Sequence, residues 1–371
     1  MKRITILVPV LFVSMFTWQC TKQSGYDDGT NPDKLRQSGG SGQGLKTSVN
    51  SAASDLNTTL TNISQTEGYK LLNIGSSGSA RNEMTASSGY KDSITLAAIS
   101  GVYSYKPVTY ANWCYSCYSK LFSKTGTAND LIIQLPSSKV FYPQRFQRIS
   151  PDDTSLQNNF VITATAFNLY YSNHFLYNYN LAASIAVSDT SLGSFGIQSA
   201  STSYSDYSYS SGYNFANGDN ISVSVTSGDT SSSSVSLSNS SSTLLKETVL
   251  DIISSGSKYF ERQYILQIGN VEFTRTAGSD SITVYVGGVL QTSAKVTVID
   301  NSSAGGFGFN SLIVGRNRDL QITYDDGTTT KLSTLLGPSL TVLQSLVNSM
   351  QSFYFANNLV DYIAESIYFN K

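Results

Sequence analysis

Two thiols separated by two residues, Cys114 and Cys117 in Trp113-Cys114-Tyr115-Ser116-Cys117, are the pair best spaced for chemistry in this 371-residue chain. Thiols so placed can close a small disulfide ring, or one can attack a disulfide as its thiolate and be resolved by the other. The third cysteine, Cys20, follows an apolar run near the N-terminus. If Cys20 is spent there, an exported chain is left with an even pair, which favours a structural disulfide. So short a ring stiffens a turn but removes little chain entropy. A redox dithiol, free thiols or half of a metal site stay open on spacing alone, although a zinc site would need a second Cys pair that the sequence lacks.

Other chemistry is bounded by scarcity. His174 is the single histidine, so any site built on several histidines is excluded. A Ser-His-Asp triad is arithmetically open, but no Gly-x-Ser-x-Gly elbow accompanies any serine, and His174 reads as a turn or strand residue. Gly305-Gly306-Phe307-Gly308 lacks the Lys-Ser/Thr ending of a phosphate loop. Asp27 to Asp33 is acidic like a calcium loop but lacks the terminal bidentate Glu and flanking helices, and reads as solvated linker. No cofactor and no metal is expected. Tyr170, Tyr171, Phe175, Tyr177 and Tyr179 form an aromatic cluster. Tyrosine offers an apolar face with a hydroxyl handle, so Tyr170, Tyr171, Tyr177 and Tyr179 are the candidate binding surface for sugars or peptides, with a half-buried sheet face as the plainer alternative.

The Trp-Cys-x-x-Cys segment resembles that of thioredoxin-like oxidoreductases. The resemblance implies Cys114 as the nucleophile at a helix N-terminus and Cys117 as the resolving thiol. The surroundings depart from that family. Tyr103 to Tyr110 contains Pro107 and many polar residues where a buried parallel strand is needed, Ser119 to Asn129 meets Gly126 where a long helix should run, and no βαβ pattern follows.

The N-terminus gives an address. Lys2 and Arg3 precede an apolar run from Ile4 to Trp18, too short to span a bilayer with ease, then Gln19 and Cys20. Phe16-Thr17-Trp18-Gln19-Cys20 is similar to the lipobox of bacterial lipoproteins, most closely those of spirochaetes of the Leptospira type, with Thr17 and Gln19 at positions that usually hold Leu and a small residue. That resemblance implies cleavage before Cys20, a diacylglycerol thioether and N-acylation. One acyl chain anchors marginally and several hold stably, so the chain is expected at the bacterial cell envelope, on the outer membrane. The expected organisation is a signal peptide over 1–19, a lipidated Cys20 with a flexible tether over 20–44, and a folded body over 45–371 with a division near 200–243.

Composition favours an exported β-rich body. Net charge is -1, charged residues are 13% and tyrosines number 24. Such a surface has nothing to attract nucleic acid. Leu45, Val49, Ala52, Leu56, Leu60 and Ile63 recur at three- and four-residue steps, predicting an N-terminal helix of about 20 residues. Ile94 to Tyr105 is ambiguous between helix and strand. Strands are predicted at Leu131 to Leu135, Asn159 to Leu169, Leu181 to Val187, Tyr264 to Phe273, Ile282 to Val286, Val289 to Val298 and Leu320 to Tyr324, with helix at Leu244 to Ile253. Gly287-Gly288 and Asp326-Gly327 suit hairpin loops. In the segment 201–242, with 18 Ser, Ile221, Val223, Val225, Val235 and Leu237 alternate about Gly228-Asp229, predicting a hairpin with one apolar and one hydroxyl face. Such hairpins also resemble the stems of β-pore-forming toxins. Leu340 to Ile363 predicts two helices or one interrupted helix.

The fold class expected is therefore α+β, β-dominated, a mainly antiparallel sheet or sandwich with an N-terminal helix and a C-terminal helical segment. The function expected is non-catalytic surface interaction or adhesion, with the membrane engaged through lipid and a host, matrix or envelope protein or glycan as partner. The alternatives are a thiol-disulfide oxidoreductase using Cys114 and Cys117, or a pore former.

Overall fold

The computed structural model describes residues 4–6, 42–74, 84–86, 93–106, 121–137, 157–173, 176–203, 206–228, 230–253, 260–279, 281–300, 318–324, 326–337 and 339–369. It is β-dominated α+β with mostly antiparallel strands, an N-terminal helix and a C-terminal helix. The elements in chain order are β1 (Ile4–Ile6), α1 (Gly42–Gln65), α2 (Glu67–Ile74), β2 (Met84–Ala86), β3 (Ser93–Thr95), α3 (Leu96–Ile99), β4 (Gly101–Tyr105), β5 (Phe122–Gly126), β6 (Leu131–Leu135), β7 (Phe160–Asn173), β8 (Leu176–Val187), β9 (Thr190–Ser201) and β10 (Tyr207–Phe215). They continue with β11 (Asn220–Ser227), β12 (Thr230–Ser238), β13 (Thr243–Ile253), β14 (Phe260–Ile268), β15 (Val271–Thr276), β16 (Thr283–Val286), β17 (Val289–Leu290), β18 (Lys295–Asp300), β19 (Arg318–Thr323), β20 (Thr329–Lys331), α4 (Leu332–Leu336) and α5 (Ser339–Phe369). Two compact units divide the chain, one over 1–9, 63–218 and 344–371, the other over 10–62 and 219–343.

The first unit is built on the order β10-β9-β8-β7-β6-β4-β5, with β3 added beside β7. Among the described strands of this unit only β4 and β6 run parallel, because β5 pairs with the other side of β4 and the chain must cross back. Alternation drives the sheet: Tyr179, Leu181, Ala183 and Ile185 of β8 are buried while Asn178 and Ser184 are exposed. The same inner face takes Phe195 and Ile197 from β9, Tyr213 and Phe215 from β10, and Leu359, Val360, Ile363 and Ala364 from α5. α5 is one continuous helix of 31 residues, which resolves the two-helix alternative. Ile94 to Tyr105 divides into strand, one helical turn and strand.

Two glycines permit close approach in this unit. Gly193 has φ 143° and Gly68 lies on α2, where an added Cβ would sit 2.6 Å from Leu192 O and 2.9 Å from Tyr213 Oη. Tyr213 is fully buried and donates its hydroxyl to Leu192 O at 2.9 Å. Burial pushes its phenol well above the usual range.

The second unit is an antiparallel meander from β11 to β17, plus the three-stranded sheet β18-β19-β20. Leu45, Val49, Ala52, Leu56 and Leu60 of α1 are buried, as the periodicity predicts, and Ala53 is buried with them. They join a core with Ile221, Val223, Leu237, Leu266, Phe273 and Val284. The Ser-rich hairpin forms as expected, with Ile221 opposite Leu237 and Val223 opposite Val235. Gly287 and Gly288, at φ 56° and 81°, close the hairpin between Val286 and Val289.

Three expectations are corrected in this unit. Leu244 to Ile253 is strand, not helix: pairs of apolar residues fit either period, and the neighbours β12 and β14 decide by taking its backbone hydrogen bonds. Tyr264 to Phe273 is not one strand, since Gly269 at φ 57° and Asn270 turn the chain so that Ile268 faces Val271. Val289 to Val298 likewise splits into β17 and β18. Gly269 is also where α1 comes closest, for an added Cβ would lie 2.9 Å from Ala52 Cβ.

Candidate functional site

Cys20, Trp113, Cys114, Cys117 and His174 lie outside the described residues. The first described segment after the cysteine pair is β5, a strand antiparallel to β4. Among the described residues no group of three or more His, Cys, Asp or Glu could hold a metal ion, and no helix is long and apolar enough to cross a membrane.

The tyrosines lie on the longest hairpin, β7–β8. Because side chains alternate across a strand, Tyr170 and Tyr179 do not share a surface. Tyr170 points outward and is 42% exposed. Tyr171 occupies the β7 position paired with Tyr177. Tyr177 is half-buried, and Tyr179 is buried against Phe167 at 6.0 Å in an edge-to-face contact. The expectation of one binding surface made of all four is thereby corrected for Tyr179, which belongs to the core.

The outward face around Tyr170 is read from register. Tyr170 lies between Ser93 of β3 and Asn178 of β8, and the same row continues through Ala200 to Ser208. The adjacent row is Thr95, Asn168, Asn180, Gln198 and Ser210. Neighbouring strands stand about 4.8 Å apart, so the amides form a continuous polar strip beside the ring. None of these positions carries a charge. Ser93 Oγ donates to Asn168 Oδ1 at 3.3 Å, a long contact. Asn178, Gln198 and Ser208 are exposed.

The inward face beneath carries a polar network in otherwise apolar surroundings. Tyr177 Oη and Ser199 Oγ lie 3.0 Å apart, and the Tyr177 and Tyr207 rings lie 6.5 Å apart at a tilt of 53°. Burial raises both phenols, with the Ser199 hydroxyl pulling the other way, so both stay protonated at any ordinary pH. Tyr179 Oη lies 2.6 Å from Asn357 Oδ1 and 2.7 Å from Asp361 Oδ1 of α5. Asp361 is 4% exposed, and its Oδ2 has no hydrogen-bond partner. Burial pushes its carboxyl up to about 7, against the pull of the Tyr179 hydroxyl and with a further push from Glu365. Burial raises Glu365 to about 7 as well.

Asn357, Asp361 and Glu365 escaped the sequence reading of α5, which followed its apolar residues. Their signal was there: they stand four apart, one turn each, in a helix whose intervening residues Val360 and Ala364 are buried.

Other polar features in the second unit are structural. Ser222 with Ser236 and Ser224 with Ser234 satisfy each other at 2.8 Å across the hairpin. Asp319, fully buried, accepts from Leu320 N at 2.8 Å, from Ser333 N at 3.2 Å and from Ser333 Oγ, which caps the start of α4. Arg262 grips Asp251 through two hydrogen bonds of 2.6 and 2.8 Å in a cross-strand pair. A shallow depression along α1 is lined by Asn50, Ser54, Asn57, Thr58, Thr61 and Leu335, but Thr58 and Thr61 already donate to helix carbonyls.

The geometry thus offers a neutral outer strip suited to binding and a buried carboxyl cluster behind it. No family model matches this chain, and neither the curated proteins nor the solved structures contain a match.

Proposed function

We propose that this chain is an exported, lipid-anchored envelope protein that acts by binding and not by catalysis, and that its ligand is a neutral glycan held on the outer face of β3, β7, β8, β9 and β10. The observation that carries this reading is the exposed ring of Tyr170 beside Asn168, Asn178, Asn180 and Gln198 on a face without charge. A sugar ring presents C–H groups to an aromatic face and hydroxyls to amides, each of which can donate and accept. An anionic ligand finds no cation at these positions. The lipid at Cys20 holds the chain at the membrane, and Cys114–Cys117 serves as a structural disulfide, a reading supported by the strand that follows it in place of a long helix.

Binding of the full chain to panels of neutral and acidic oligosaccharides tests the ligand. The expected result is saturable binding to neutral glycans, weakened by about tenfold or more, at least 1.4 kcal/mol, in Tyr170→Ala and unchanged in Tyr177→Phe. Binding to acidic glycans alone, or full binding by Tyr170→Ala, overturns it.

A further inference from the structure

Binding on the outer face makes no use of the carboxyl cluster on the inner face. The Tyr179 hydroxyl has one hydrogen but two oxygen neighbours at hydrogen-bond distance, Asn357 Oδ1 and Asp361 Oδ1. Tyr179 Oη donates toward both, one hydrogen shared between two acceptors, so Asp361 Oδ1 has at most a share of one hydrogen bond and its Oδ2 has none. With Asp361 protonated, its unpartnered Oδ2 is a neutral carbonyl oxygen, far cheaper to bury than half of a carboxylate.

Removing that proton disrupts the arrangement. The carboxylate would draw the phenolic hydrogen away from Asn357, leave Oδ2 charged and unpartnered, and meet Glu365 one turn along α5. Among the described residues, the groups that act on Asp361 are Tyr179 from β8 and Glu365 from α5 itself. Among the described residues, the inner face of β8, β9 and β10 adds the phenols Tyr177, Tyr207 and Tyr209 around Ser199. From β7 the Tyr179 ring is met by Phe167. On α2 the ammonium of Lys70 is held by Glu67 at 2.6 Å.

We propose that this cluster is a proton-operated latch, in which protonated Asp361 pins the C-terminal half of α5 to β8 and ionisation of Asp361 with Glu365 releases it.

The sign follows from the folded-state values. Both carboxyls titrate higher when folded than the usual carboxylate range, at about 7 against ordinary values of 3.8 for Asp361 and 4.5 for Glu365. Their contribution is therefore complete below about pH 4 and is lost as pH rises through about 7. Between those limits each pH unit weakens docking by up to about tenfold per group, and above about 7 there is no further loss.

Hydrogen exchange of the full chain, read on peptides covering 356–369 and corrected for intrinsic exchange between pH 5.5 and 8.5, tests the latch, with peptides from α1 as the internal reference. Wild-type protection of α5 is expected to fall by about tenfold or more between pH 5.5 and about 7 and to level off above it. Asp361→Asn should flatten the dependence and Glu365→Gln should make it shallower. Protection independent of pH in the wild type, or the same fall in Asp361→Asn, overturns the proposal. If Asp361→Asn does not fold, the carboxyl carbon resonance of Asp361 in the wild-type chain decides: protonated at pH 6 supports the latch, ionised at pH 6 sinks it.

Discussion

Tyr179 shows how one side chain can be read correctly in type and wrongly in place. Its hydroxyl makes two short contacts inside the core, so Tyr179→Phe keeps the ring against Phe167 while leaving Asn357 and Asp361 without their shared partner. Such a loss is expected to cost about 1–3 kcal/mol, measured as a lower denaturation midpoint at pH 6. Tyr170→Phe, at an exposed position, should cost under about 0.5 kcal/mol. Equal destabilisation by both would contradict the assignment of the two rings to opposite faces. Asp319 offers the same logic in the other unit. It is fully buried and serves two backbone N–H groups and the Ser333 hydroxyl, so Asp319→Ala strands several donors at once and should destabilise by about 2–4 kcal/mol in chemical denaturation.

At the scale of elements, turns decide register. The β8–β9 hairpin closes Val187 against Thr190 over Ser188 and Asp189, both at positive φ, 46° and 66°. A two-residue turn of that shape prefers Asn-Gly, so Ser188→Asn with Asp189→Gly should stabilise by about 0.5–1 kcal/mol, read as a higher melting temperature. Gly269 is the opposite case, already the residue its turn demands. Gly269→Ala strains φ and drives a methyl into Ala52 of α1, and should lower the melting temperature; an unchanged value would show that α1 does not sit tightly on the β14–β15 turn.

At the scale of the whole molecule, carboxyls with opposite pH dependence act against each other. Carboxylates that gain partners on folding stabilise above their unfolded pKa, as Asp326 does in the grip of Lys46 and Thr328 at 2.7 and 2.9 Å, a contribution lost in acid. Asp361 and Glu365 act the other way and weaken the fold as pH rises through about 7. Their part in thermal stability is therefore expected to fall from about pH 4 to about 7 and to level off above it, with Asp361→Asn removing most of that fall. The proposed address is tested on the same scale. Cys20→Ala should abolish metabolic labelling with palmitate and free the chain from membranes, and mass spectrometry of an unmodified Cys20 in the mature wild type would reject the anchor.

The amino-acid sequence by itself determined the fold class, the α1 face and the Ser-rich hairpin, because each rests on a local period. Apolar residues at three- and four-residue steps can only be buried together on a helix, and alternation about a short loop can only be satisfied by a two-stranded pairing. Where local patterns were compatible with two answers, the tertiary structure decided. Leu244 to Ile253 became strand because β12 and β14 offered it a ladder on both sides, and Tyr264 to Phe273 broke where Gly269 could turn under α1. The candidate site was half legible. Tyrosines at 170, 171, 177 and 179 marked the right hairpin, but which ring met solvent depended on strand pleat and on α5, some 180 residues away, covering one face. Asp361 reads as one acidic residue in a helix until the fold places it against Tyr179. Burial and proximity set its proton affinity, and neither is a property of the chain until it is folded.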